Sequence, residues 1–181
     1  LVIGGAFRFP HFAEGLFDPE GPIFVPLSAV TAVARAQLNV ARALSHRGRR
    51  VLVKPHPMYP IAFEANGNLE AAERPLVEQA ALSAVLYGTG TSGLEATLMG
   101  LPAYRLMADD RIAIDVLPAG VTAAAVTLED AVEVIFEGRT PNRRIRREDI
   151  FGEPDMELWK KLLFGDIKSA ATMTDKTKQA S

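Results

Sequence analysis

Short, unbroken apolar runs alternate along this chain with longer stretches whose apolar residues recur at three- and four-residue intervals. IFVPL (23–27), VLV within RRVLVKP (49–55), AVLYG (84–88) and PAYRL (102–106) are of the first kind. They carry no in/out alternation, which is the pattern of strands buried on both faces of a sheet. Residues 28–47 are of the second kind, with Val30, Val33, Leu38 and Leu44 at helical intervals among alanines. Ser28 is placed to cap that helix, and Gly48 to end it. A helix is expected around 75–83, a short one over 92–99, and another within TLEDAVEVIFEG (127–138). In the last of these Thr127 caps, Asp130 takes the third position and Gly138 terminates. AAAV (123–126) reads as a final strand, and a further helix centres on Trp159. Residues 58–74 read mostly as loop. Residues 1–22, dense in Gly, Pro and Phe, read as a linker or edge segment, and the polar tail 166–181 reads as disordered.

Strands alternating with helices predict an α/β fold, a doubly wound and mostly parallel sheet, here assigned to residues 23–165. No internal repeat interrupts it. In such a sheet ligands lie beyond the carboxyl ends of the strands. Two polar clusters fall there: KPHP (54–57) after one strand and GTGTSG (88–93) after another.

Composition narrows the chemistry. The 181 residues suffice for one domain with a core. A net charge of −2 offers no general attraction to nucleic acid or anionic membranes. The absence of cysteine removes disulfides, thiolate metal sites and a cysteine nucleophile, and three histidines make a histidine-rich metal site a poor expectation. No apolar stretch reaches the roughly 20 residues of a membrane span. The opening LVIGGAFRFP lacks the basic leader of a signal peptide. Beginning with Leu rather than Met, the chain is taken as a piece of a longer protein.

Gly88, Gly90 and Gly93 match the G-x-G-x-x-G spacing of a dinucleotide turn, and Asp109 and Asp110 lie about 20 residues on. Against that reading, Gly100, Leu101 and Pro102 stop the helix early, and the motif comes late in the domain. Thr89, Thr91 and Ser92 add hydroxyls to the glycines, which suits a phosphate. The turn alone admits three readings: a seat for phosphate or a nucleotide sugar, a dinucleotide turn, or a tight strand–helix connection without a ligand. Lys54 and His56, two apart and held between prolines, would point the same way if strand geometry continued, and together suit a phosphate or carboxylate. The alternative is a surface loop in which His56 caps a neighbouring carbonyl. Glu95 is either an acceptor for a sugar or ribose hydroxyl or a solvated helix residue. His11 and His46 read as structural, and RRIRRE (143–148) as a solvated or salt-bridged segment.

Lys54-Pro55-His56-Pro57 followed some 30 residues later by SAVLYGTGTSGLEATLMGLPAYRL resembles the C-terminal half of bacterial surface-polysaccharide glycosyltransferases of the two-domain GT-B fold, sialyltransferase-like members in particular. The resemblance spans residues 23–106. It implies a Rossmann-like domain that binds a nucleotide sugar, CMP- or UDP-linked, while a missing N-terminal domain brings the acceptor. It further implies that Lys54 and His56 meet the donor's phosphates or sugar acid, with His56 catalytic. Thr89, Thr91 and Ser92, among Gly88, Gly90 and Gly93, would hold phosphate or base edges, and Glu95 the ribose. The turn here is richer in glycine than the Ser-Thr-Ser kind of that family. With no Asp-x-Asp in the chain, a metal-independent site without a cofactor is expected. The setting implied is cytoplasmic, peripheral to membrane-bound glycan machinery, with no nucleic acid partner. The competing readings are a sugar-nucleotide epimerase or polyol-phosphate transferase of the same fold, a nicotinamide-binding module, and a non-catalytic scaffold using its Phe-rich N-terminal segment.

Overall fold

A computed structural model of the chain describes residues 16–108, 117–118, 121–138 and 145–164. His11, Asp109, Asp110, Arg143, Arg144, the tail 166–181 and most of the segment 1–22 lie outside the described residues. The chain divides into two units, one spanning His11–Arg146 and the other taking in the described residues from Arg147 onward.

The larger unit is built on a six-stranded sheet. Its strands are β2 (Ile23–Pro26), β3 (Val51–Lys54), β4 (Leu69–Ala71), β6 (Ala84–Tyr87), β7 (Ala103–Leu106) and β8 (Ala124–Val126). A separate parallel pair joins β1 (Leu16–Phe17) to β5 (Ala81–Leu82). All pairings in the large sheet are parallel, and the order across it is β4-β3-β2-β6-β7-β8. Numbered by their sequence order, these six strands run 3-2-1-4-5-6, the doubly wound order of dinucleotide- and nucleotide-binding domains. The α/β, Rossmann-like expectation is therefore met.

The unbroken apolar runs are explained by helices on both faces. Helix α1 (Thr31–His46) covers one face, where Ile23, Val25, Val51, Val53, Leu86, Tyr104 and Leu106 meet Ala34, Leu38, Ala41 and Leu44. Helix α3 (Ala131–Phe136) adds Ala131 and Ile135 to the same core. Phe24, Val85, Tyr87 and Ala103 alternate with those residues along the strands and face the other way, against Ala96 and Met99 from helix α2 (Ser92–Leu98) and its end, and against Leu76. Period-two geometry thus serves two cores at once, so the central strands are apolar in both phases over most of their length.

Local signals succeed where they have a mechanism. The amides of Gly48 and Arg49 donate to the carbonyls of Ser45 and Leu44, and Gly48 takes φ +90°, a Schellman stop to α1. Thr127 and Asp130 exchange bonds ahead of α3, the Thr127 amide to Asp130 Oδ1 at 2.6 Å and the Asp130 amide to Thr127 Oγ1 at 3.4 Å. Three expectations need correction. α1 starts at Thr31 rather than Ser28, because Ser28 is occupied elsewhere. The helix expected over 75–83 is a single 3-10 turn, Leu76–Glu78, leading into β5, since the backbone at Pro75 and Gln79 is extended. The loop 58–74 contains β4, an edge strand that buries only Leu69 and so carries no apolar run.

In the other unit a 3-10 turn (Arg147–Asp149) precedes helix α4 (Met156–Phe164), the helix expected around Trp159. Arg147, buried, pairs with Glu153 at 2.7 Å, so this member of the basic run is salt-bridged. Among the described residues no helix is long and apolar enough to cross a membrane.

Candidate functional site

β2, β3 and β4 run outward to one side of the sheet, and β6, β7 and β8 to the other. The winding reverses between β2 and β6. There the connections after adjacent strands diverge to opposite faces and leave a crevice at the carboxyl edge, the usual ligand position in open α/β sheets. The crevice is present: a cleft of about 190 Å³ lies between Pro26, Leu27, Ala29 and His56 on one side and residues 87–92 on the other. None of the described residues lining it is acidic. It is smaller than the several hundred Å³ of a typical closed small-molecule pocket, a size suited to an anionic group with part of what it carries.

The floor of the cleft is held by a residue that the sequence reading passed over. Gln37 on α1 is fully buried. Its Oε1 accepts the Ser28 amide at 2.8 Å, and its Nε2 donates to the carbonyls of Pro26 at 2.8 Å and Leu86 at 3.3 Å. One side chain therefore ties the ends of β2 and β6 together at the point of reversal, where neither strand offers the other further ladder bonds. A signal existed: Gln37 stands one turn from Val33 and from Ala41 on the apolar stripe of its helix, and a polar residue at a core position implies fixed partners. Ser28 completes the tie. Its Oγ accepts the Val30 amide at 3.1 Å and lies 2.6 Å from Thr89 Oγ1.

The glycines of the turn have packing reasons. A Cβ on Gly88 would collide with Val33 Cγ1, and one on Gly93 would run into the ring of Tyr87. Gly90 has φ +152° with nothing near its would-be Cβ, so its requirement is conformational. Moreover, the turn follows the fourth strand of the sheet. A dinucleotide fingerprint follows the first, and here that connection, Leu27-Ser28-Ala29-Val30, contains no glycine. The G-x-G-x-x-G spacing is accounted for by close packing at Gly88 and Gly93 and by backbone conformation at Gly90.

The loop after β3 separates the two basic residues. Lys54, the last residue of β3, donates from Nζ to the Glu73 carbonyl at 2.5 Å and takes no part in the cleft wall. His56 does line the cleft, because the strand ends at Lys54 and the prolines redirect the chain. Its Nδ1 accepts the Met58 amide at 3.3 Å, which leaves Nε2 as the proton-bearing nitrogen of the neutral ring. Its ring stacks on Tyr59 with centroids 5.6 Å apart. Of the other predicted residues, Gly88, Thr89, Gly90, Thr91 and Ser92 line the cleft, and Gly93 and Glu95 do not. Glu95, half-buried one turn into α2, accepts from Thr91 Oγ1 at 3.4 Å.

His56 and three hydroxyl residues, with no carboxylate among the lining residues, form a wall fit to receive an anion by hydrogen bonds. Among the described residues no three of His, Asp and Glu gather as a metal site. No protein-family model matches the sequence, and no curated protein matches it closely enough to count as a relative.

Proposed function

We propose that this chain is the donor-binding domain of a metal-independent glycosyltransferase that builds a bacterial surface polysaccharide, holding a CMP- or UDP-linked sugar at the reversal point of its sheet. The observation that carries the reading is the carboxylate-free cleft between β2 and β6, where His56 faces the hydroxyl-bearing turn 88–92. The resemblance of residues 54–57 and 83–106 to such transferases supplies the reaction class.

In glycosyl transfer an acceptor hydroxyl oxygen bonds to the anomeric carbon as that carbon's bond to the nucleotide phosphate oxygen breaks. The hydroxyl proton passes to a base, and negative charge builds on the departing phosphate. Donors fixed in place before the reaction stabilise that charge most effectively. His56 Nε2–H and the hydroxyls of Thr89 and Ser92 serve as those donors, the Thr91 hydroxyl being given to Glu95, and the Ser28–Gln37 bracing holds the turn that carries them. In this reading a further domain of the same protein brings the acceptor and the base, so the chain binds donor without turning it over. The setting is cytoplasmic, at the inner face of the membrane where acceptor glycans are extended.

Calorimetric titration with CMP, UMP, UDP and NADH tests the reading. Saturable binding of a pyrimidine nucleotide, weakened about ten-fold by His56→Ala without a change in urea midpoint, is expected. Preferential binding of NADH, or an unchanged affinity in His56→Ala, would overturn it.

A further inference from the structure

His56, on the cleft wall, stacks against an exposed aromatic ring that lies outside it. Tyr59 lies three residues beyond His56 and stacks against it, centroids 5.6 Å apart and planes 28° from parallel. Its side of the loop faces water: Tyr59 is 57% exposed and its neighbour Met58 74%. The stack on His56 orients the Tyr59 ring while more than half of the residue stays open to solvent. Pro55, Pro57 and Pro60 stiffen the segment, so little freedom remains to be lost when a ligand settles on it. The cleft itself, at about 190 Å³, is smaller than a typical small-molecule pocket, so a nucleotide whose phosphate entered it would have to place its base beyond it.

From this the geometry points to Tyr59 as the stacking platform for the nucleobase of the bound nucleotide, with His56 between base and phosphate. The assignment rests on the donor-binding reading above. Division of labour follows from position. The polar wall 88–92 and His56 hold the phosphate, while Tyr59 holds the base on the ring face that its stack with His56 leaves open. Stacking draws on the π-face common to all bases, so it adds affinity with little discrimination among them. CMP and UMP should therefore bind within a few-fold of each other. The ring is required and its hydroxyl is not.

The test titrates the full 181-residue chain with CMP, UMP and inorganic pyrophosphate, in the parent protein and in Tyr59→Ala and Tyr59→Phe. Tyr59→Ala should weaken both nucleotides about ten-fold, the change that corresponds to about 1.4 kcal/mol of base stacking. Pyrophosphate binding should stay the same, and Tyr59→Phe should behave as the parent. Two results would overturn the platform while leaving the donor site intact. One is nucleotide affinity indifferent to Tyr59→Ala. The other is pyrophosphate weakened as much as CMP, which would make Tyr59 a positioning residue for His56. Failure of every nucleotide to bind the parent protein would remove the donor reading and the platform together.

Discussion

Ser28 Oγ and Thr89 Oγ1 stand 2.6 Å apart, one just past the end of β2 and the other just past the end of β6. They are 61 residues apart in sequence and meet at the point where the sheet reverses its winding. The contact makes Thr89 a member of a braced wall rather than of a free loop. Replacing Ser28 by Ala removes the acceptor of the Val30 amide as well as the partner of Thr89. A loss of about 1–2 kcal/mol in urea unfolding is expected, whereas Ser28→Thr, which keeps the hydroxyl, should lose less.

Gln37 is expected to be the more sensitive position. Gln37→Leu keeps the volume but strips the partners from the Ser28 amide and from the Pro26 and Leu86 carbonyls. Buried backbone groups left unpaired should lower stability by roughly 2–4 kcal/mol, read as a shift in denaturant midpoint at constant m-value. A Gln37→Leu variant as stable as the parent would mean that the bracing contributes nothing to the fold.

The packing account of the glycine turn makes a coupled prediction. Gly88→Ala forces a methyl group against Val33 and should cost about 1–3 kcal/mol. Val33→Ala relieves that collision, so the double variant should be less destabilised than the sum of the two single ones, by about 1 kcal/mol in a double-mutant cycle. Additive effects would mean that the collision with Val33 is not what makes position 88 need glycine.

Acid sensitivity at the sheet edge has a defined sign. Arg50 grips Glu70 through two bonds, 2.8 and 2.9 Å, joining the residue before β3 to the middle of β4. The bonds from Arg50 hold the Glu70 carboxyl below its ordinary value. A carboxyl so depressed adds stability above the unfolded pKa of about 4.3 and loses it as the pH falls through the lower folded value. Both partners are well exposed, so the gain at neutral pH should be no more than about 0.5 kcal/mol. Unfolding curves of the parent and Glu70→Gln should differ slightly at pH 7 and converge as the pH falls from about 4.3 through the lower folded value.

Five strands of the large sheet, the body of the main helix and its Schellman stop, the capping bonds at Thr127 and Asp130, and the location of polar clusters at strand ends were legible in the sequence, while the β1–β5 pair was not. Each legible feature depends on neighbours a few residues apart, or on a periodicity that burial imposes on every residue of a run. The short edge strand β4 and the 3-10 turn at Leu76–Glu78 were not, because one buried leucine carries no periodic signal and Pro75 begins an extended backbone. Within the site, sequence picked out His56 and the turn 88–92 as residues with suitable chemistry. It paired Lys54 with His56 by assuming that strand geometry persists through two prolines. The fold instead directs the Lys54 ammonium to the Glu73 carbonyl.

What the sequence by itself determined is the two-faced parallel sheet and the residue types at its carboxyl edge, since local bonding and hydrophobic patterning act before any long-range contact exists. Only the tertiary structure decided which edges adjoin. The 3-2-1-4-5-6 order brings Ser28 to Thr89 and sets Gln37 beneath both strand ends, and it explains Gly88 and Gly93 by what they pack against. Those relations join residues up to 61 positions apart, and no spacing along the chain encodes a distance that exists only after the sheet has closed.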